Sequence, residues 1–324
     1  IDTIGKKMTV CELYAKQNRH RGNVRHNTTK GRERLMKLLE ADKLGSCPID
    51  SVKLSDAKEW ALRMKEKGIS YKTISNDKRS LKAAFYTAIQ DDCIRKNPFD
   101  FQLNTVIEDD TEPKVPLTAE QEESLLSFME SDSVYQKYRD EVIILLGTGL
   151  RISELCGLTD TDLDFESRVI NVDHQLLRSA ETGYYIEKPK TQSGIRQIPM
   201  SEKVYEALGR VLENRKGAKA TTIDGYSNFL FLNRDGCPKT ATSYDNMFRG
   251  LAKKYNKCHE EALPKVMTPH TLRHTFCTNL ANAGMNPKAL QYIMGHSNIT
   301  MTLNYYAHAT FASARAEMER LIAA

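Results

Sequence analysis

The sequence predicts a mainly α-helical protein with a small antiparallel β-sheet confined to the second of two domains, which is therefore α+β. Three observations predict it. Apolar residues recur at spacings of three and four through residues 8–104 and again from residue 117 onward, as one face of a helix requires. Strand-like stretches occur only at Ser167 to Asp173, Tyr184 to Glu187 and Ile195 to Met200. Between the helical regions lies EDDTEPKVP, Glu108 to Pro116, which is acidic, carries two prolines and has no apolar period. It marks a linker over residues 105–116.

The chain has 324 residues, enough for two cores, and 40% apolar and 27% charged residues, ordinary for a soluble protein. No apolar run approaches the roughly 20 residues needed to span a bilayer, and no signal peptide opens the chain, so a cytoplasmic protein is expected. Seven cysteines without a CxxC pair argue against a disulfide framework or a cysteine-rich zinc site. Charge is uneven. Residues 1–104 carry 22 Lys and Arg against 13 Asp and Glu, the remainder 25 against 29. A basic front half suggests a polyanionic partner, although a solvated basic face has the same composition.

In residues 8–104, Thr9 suits the cap of a first helix and Thr28 or Thr29 that of a second. Ser55 opens a third, with Ala57, Trp60, Ala61 and Met64 on one face, stopped at Gly68. Ser70 opens a fourth with Ile74, Leu81, Phe85 and Ile89 inward, ended by Pro98. Lys72, Lys78, Arg79 and Lys82 lie off that stripe and form a candidate phosphate-binding face.

In the second domain, Thr118 caps a helix and Val142 to Leu146 belong to a buried one, interrupted by Gly147-Thr148-Gly149. Arg151 opens the next. A guanidinium there adds a bidentate positive fork to the positive end of a helix, an arrangement suited to phosphate; a surface pair with Glu154 is the plain alternative. Gln192-Ser193-Gly194 reads as a hairpin turn with Lys190 at its tip, placed to act as a general acid if neighbours tune it. FLFLN, residues 229–233, should be buried.

From Thr268 to Ala309 the chemistry-bearing residues crowd together. Thr268 and Pro269 start a helix that sets His270 and Arg273 one turn apart, ending at Gly284. Pro287 starts another that reaches Gly295-His296, and Tyr305-Tyr306 follow.

The blocks GTGLRISELCGL, PKTQSGIRQIPM, TPHTLRHTF and MGHSNITMTLNYYAH, in this order, resemble the tyrosine recombinases, or phage-type integrases, and among them the integrases of conjugative transposons. The resemblance implies a helical core-binding, DNA-contacting domain at residues 8–104 and a catalytic domain at residues 117–310. Within residues 311–324 a short helix is expected, with Met318, Leu321 and Ile322 on one side, and its exchange between protomers is a hypothesis that goes with it. Many such integrases have a further N-terminal domain for arm sites, which fits a start at isoleucine. Arg151, Lys190, His270, Arg273 and His296 match the family's catalytic positions. The nucleophile falls nine residues after the last histidine in some members and ten in others. Thr302-Leu303 and Tyr306-Ala307-His308 reproduce the latter context and select Tyr306, leaving Tyr305 as a packing neighbour.

The implied reaction is cleavage and rejoining of DNA through a 3′-phosphotyrosine, with no metal or other cofactor, by a homo-tetramer on two duplexes at specific sites. Accessory proteins that set direction fit the same scheme. Three other activities compete with this one. A metal-dependent nuclease could use His270, His274 and His296 for zinc, but Arg273 lies among them and no acidic residue is suitably placed. A topoisomerase of the same chemistry would relax DNA without joining two sites. A non-catalytic DNA-binding protein would not need a competent residue at every catalytic position.

Overall fold

A computed structural model describes residues 7–22, 26–112, 115–215, 221–260, 262–264 and 266–306, with positions 315, 318, 319 and 322 beyond them. The expected C-terminal helix thus lies largely outside the described residues. The chain divides into two compact units, residues 1–113 and 114–324.

The first unit is built on α1 (Val10–His20), α2 (His26–Glu40), α3 (Leu54–Glu66) and α4 (Tyr71–Gln90). At the start of α1, Glu12 N–H donates to Thr9 Oγ1 at 3.2 Å and Thr9 N–H to Glu12 Oε2 at 2.8 Å, satisfying two amides there. Thr28 and Thr29 do not cap α2; the helix begins before them, and they lie in its first turn. Ser55 likewise falls inside α3, which Asp56 caps by accepting Lys53 N–H at 2.8 Å. Ser70 caps α4 as expected, but the helix stops at Gln90, ahead of Pro98, where Asp92 turns left-handed at φ 55°. Trp60 and Met64 of α3 pack with Ile74, Leu81 and Phe85 of α4, all fully buried. Phe99 closes on them, edge-on to Trp60 at 5.8 Å. Each large apolar side chain buried this way contributes about 1.5–3 kcal/mol.

The expected basic face of α4 needs correction. Lys78 Nζ donates to the Phe101 carbonyl at 2.5 Å and lies 4.4 Å from the centre of that ring, and burial pushes its pKa down. Lys82 pairs with Asp100 at 2.5 Å. The segment after Pro98 folds back along α4 and engages two of the four cations, leaving Lys72 and Arg79 as its exposed ones.

The second unit has helices α5 (Ala119–Ser131), α6 (Arg139–Thr148), α7 (Ile152–Gly157), α8 (Glu202–Asn214), α9 (Ala241–Cys258), α10 (Pro269–Asn282), α11 (Pro287–Met294) and α12 (Ile299–Leu303). Its strands are β1 (Leu163–Asp164), β2 (Val169–Val172), β3 (Gln175–Ser179), β4 (Gly183–Glu187) and β5 (Arg196–Pro199). They form two antiparallel sheets, β1-β2-β5 and β3-β4. Mainly helical architecture with small antiparallel sheets is what the sequence predicts, and Phe229, Leu230 and Phe231 are buried as expected.

The strand pairing differs. β4 pairs with β3, a strand that the sequence pattern does not predict, with Leu176 opposite Ile186. β5 pairs with β2, with Ile170 opposite Ile198. Only three residues separate β3 from β4, and Gly183, at φ 71°, eases their turn; the nearer partner has the lower closure cost. Gln192–Gly194 is therefore a 3₁₀ turn between sheets, and Lys190 lies in the connection ahead of it, not at a hairpin tip.

Helix α6 runs on through Gly147 and Thr148 and ends only at Gly149, left-handed at φ 62°. A Cβ at Gly149 would sit 2.4 Å from Phe276 Cδ1, so glycine serves both the turn and the close approach of α10.

Candidate active site

Three arginines converge on the C-terminal end of α11. The left-handed Gly149 turns the chain so that Arg151 caps α7, and its Nη2 donates to the Gly295 carbonyl at 3.0 Å. Arg273, on the buried side of α10 and 4% exposed, donates to the carbonyls of Gly149 and Met294. Arg196, from β5, donates through Nε to the Ile293 carbonyl at 2.6 Å. Three successive carbonyls, 293 to 295, thus each take one guanidinium. They sit at a helix end, where partial negative charge favours cations.

Glu154 balances the cluster. It is 3% exposed, its carboxylate accepts both terminal nitrogens of Arg196 at 2.9 and 3.1 Å, and it accepts Arg151 Nη1 at 2.7 Å. Burial pushes its pKa up, but the bonds and charge of Arg196, helped by Arg151 and Arg273, prevail and hold it at about 2. Glu154 is therefore no surface partner of one arginine; it is the buried counter-ion shared by two. Arg273, buried beside two like charges, is pushed down to about 9.

His296 follows the carbonyl cluster directly. Gly295, left-handed at φ 62°, ends α11 and turns the histidine inward, where it is 5% exposed and its Nδ1 pairs with Thr302 Oγ1 at 2.9 Å. Burial first, then Arg273, Arg151, Arg196 and His270, push its pKa to about 4, so it is neutral near pH 7. Between pH 6.5 and about 4 the unfolded chain takes up a proton that the folded chain refuses, so stability falls as pH falls, by about 1.4 kcal/mol per unit. His296→Gln is expected to flatten this part of a melting-temperature profile against pH; an unchanged slope there would contradict the assignment.

His270, at the start of α10, is exposed and close enough for its charge to act on His296. Lys190 is also exposed. Tyr305 packs against His274, ring centres 4.9 Å apart. Tyr306 donates its hydroxyl to the Met285 carbonyl at 2.5 Å. Burial and then Cys277 raise both phenols, while the charge of Arg273 draws Tyr305 back down. The structure thus brings Arg151, Arg273 and His296 together; the charges of His270 and Tyr305 reach His296 and Arg273, while the Tyr306 hydroxyl lies on the Met285 carbonyl. His270, His274 and His296 are not among the described groups of side chains whose donor atoms lie close enough to share one ion.

Of this site, Arg196 is not singled out by the sequence, and Thr302 enters there only as context for the nucleophile, not as the partner of His296. Strand parity carries a signal for Arg196. In Ile195-Arg196-Gln197-Ile198 the arginine shares the inward parity of Ile198, so a charge is directed into the core, which demands a buried partner.

Comparison with known proteins gives a consistent picture. The model of the phage integrase family matches residues 116–313. The transposase from transposon Tn916 of Enterococcus faecalis is 67% identical over 321 residues, 99% of this chain and 79% of the relative. The tyrosine recombinase XerC of Bacillus pumilus is 30% identical over 270 residues, 82% of this chain and 80% of the relative. A solved structure of the Tn1549 transposon integrase in complex with a circular intermediate DNA aligns with a TM-score of 0.93 at 78% identity, covering 97% of this chain and 99% of that one.

Proposed function

The chain belongs to the phage integrase family and is a tyrosine-type site-specific recombinase of a mobile element, and we propose that Arg151, Lys190, His270, Arg273, His296 and Tyr306 carry its reaction on duplex DNA. The convergence of Arg151, Arg273 and His296 from three separate segments is the observation that supports this reading most.

A phosphodiester gains negative charge on its non-bridging oxygens as a nucleophile closes on phosphorus. Each guanidinium has five N–H donors, and the contacts given above engage Arg151 and Arg273 through two of theirs, so others remain to meet those oxygens in a fixed orientation. With Nδ1 accepting the Thr302 hydroxyl, neutral His296 would present Nε2–H to the same phosphate. The Tyr306 oxygen, exchanging the Met285 carbonyl for phosphorus, forms the new P–O bond as the bond to the 5′-oxygen breaks. Lys190 gives that oxygen its proton, and His270 either takes the proton leaving the Tyr306 hydroxyl, as base, or donates a hydrogen bond to the phosphate while that proton passes to water. The bond energy stays in the phosphotyrosine and returns when a 5′-hydroxyl of another duplex attacks.

The first unit would add phosphate contacts, Lys72 and Arg79 being the exposed cations of α4. Exchange of both strand pairs needs four sites, hence a tetramer on two duplexes, working in the cytoplasm with accessory proteins able to set direction. Among the described residues no helix is long and apolar enough to cross a membrane.

A nicked suicide duplex bearing the element's own junction tests the reading. The expected result is a covalent protein–DNA adduct that forms equally in EDTA. Chelator-sensitive cleavage without an adduct would favour a zinc nuclease, and binding without cleavage a non-catalytic protein. On a supercoiled plasmid carrying two such junctions, relaxation without joining of the two sites would favour a topoisomerase.

A further inference from the structure

We propose that Arg196 is a positioning residue that locks the Lys190 turn to the backbone carrying Arg151, Arg273 and His296, so that general acid and phosphate clamp form one rigid body. The proposal rests on the reading of Lys190 as the acid that protonates the leaving oxygen.

The side chain of Arg196 is 0% exposed and its bonds reach three places. Nη1 and Nη2 hold Glu154, Nε holds the Ile293 carbonyl, and Nη1 also takes the Gly194 carbonyl at 3.0 Å. Gly194 closes the 3₁₀ turn that follows Lys190, its N–H donating to the Thr191 carbonyl at 2.9 Å. It also leaves no room beside Pro189, whose Cβ is 2.4 Å from where a Gly194 Cβ would be. Lys190 is therefore held between Pro189 and Thr191, both braced on Gly194. On the far side, a Cβ on Gly295 would lie 3.0 Å from the Ser193 carbonyl oxygen and 3.1 Å from Arg196 Nη1. The turn is pressed onto the residue that receives Arg151 and precedes His296.

Lysine cannot replace this arginine. One ammonium has three donors radiating from a point, whereas these contacts need a planar fork reaching in three directions. Arg196→Lys should retain the buried charge beside Glu154 while releasing the turn, and displacing a reacting group by about 1 Å can cost about 10²-fold in rate.

Single-turnover cleavage is measured with a normal substrate and with one whose scissile 5′-oxygen is replaced by sulfur. In the latter the P–S bond breaks as the P–O bond to tyrosine forms, and an alkyl thiol, of pKa near ~8.5, leaves as thiolate without needing a proton. Arg196→Lys is expected to bind DNA normally, to cleave the oxygen substrate about 10²-fold more slowly, and to recover near-normal cleavage with sulfur, as Lys190→Ala does. A loss in Arg196→Lys that sulfur leaves in place, while Lys190→Ala is restored, overturns the proposal and spares the reading of Lys190. Failure of sulfur to restore Lys190→Ala overturns that reading and the proposal with it. Should Arg196→Lys not fold, Gly194→Ala displaces Pro189 without removing any donor of Arg196. Restoration of its loss by sulfur supports the coupling, and a loss that sulfur does not restore overturns it.

Discussion

Tyr306→Phe is expected to abolish the covalent adduct, reducing cleavage by at least about 10⁴-fold as removal of a nucleophile does, while binding of duplex DNA survives. The hydroxyl it removes bonds the Met285 carbonyl, a contact contributing about 0.5–1.5 kcal/mol, so the second unit should remain folded. Tyr305→Phe is the matched control. Its ring packs on His274 and its loss of a hydroxyl should leave the adduct in place. The comparison is a sharp one because Tyr305, not Tyr306, is the phenol on which the charge of Arg273 acts. Trapping of DNA by Tyr306→Phe, with none by Tyr305→Phe, would reverse the assignment. Denaturing gels with a suicide substrate read both variants directly.

Glu154→Ala is expected to be the most destabilising single change at the site, by about 3–5 kcal/mol in chemical denaturation, because it leaves the Arg196 guanidinium buried without its carboxylate. Arg151 loses its partner in the same step, and three guanidiniums then face one another with only backbone carbonyls between them. Acid should reproduce part of the effect. The Glu154 carboxyl is held at about 2 in the folded chain against an ordinary value of 4.5. Its stabilisation is therefore complete above pH 4.5 and is lost as pH falls from there toward about 2, a window that meets that of His296 only at its acid end. A loss under about 1 kcal/mol in Glu154→Ala would mean that the arginines are held by the carbonyls alone.

Residues whose partners are near in sequence were legible in advance. Thr9, Ser70 and Thr118 cap helices through groups three residues away, and Arg151 opens α7 because Gly149 ends α6 just before it. That Arg151, Arg273 and His296 come close together was also legible, since each lies in a recognisable block, whereas Arg196, which joins them, was not. What distant segments decide was not legible. Lys78 and Lys82 read as a free basic face because their partners, Phe101 and Asp100, come from a segment that returns along α4. Lys190 read as a hairpin tip because β3, whose sequence QLLRS alternates poorly, did not register as the partner of β4. A surface pair of Arg151 with Glu154 stood as the plain alternative because the burial of Glu154 depends on Arg196, 42 residues away in sequence.

The central claim, that this chain breaks DNA by attaching it to Tyr306, is tested most directly by mapping the adduct formed by the unmodified chain. The complex trapped on a nicked duplex is digested, and the nucleotide-bearing peptide is sequenced by tandem mass spectrometry. The expected result is a 3′-phosphoryl group on Tyr306, with a free 5′-hydroxyl on the released strand. Its location on Tyr305, or cleavage that leaves no nucleotide on either tyrosine, would contradict the claim.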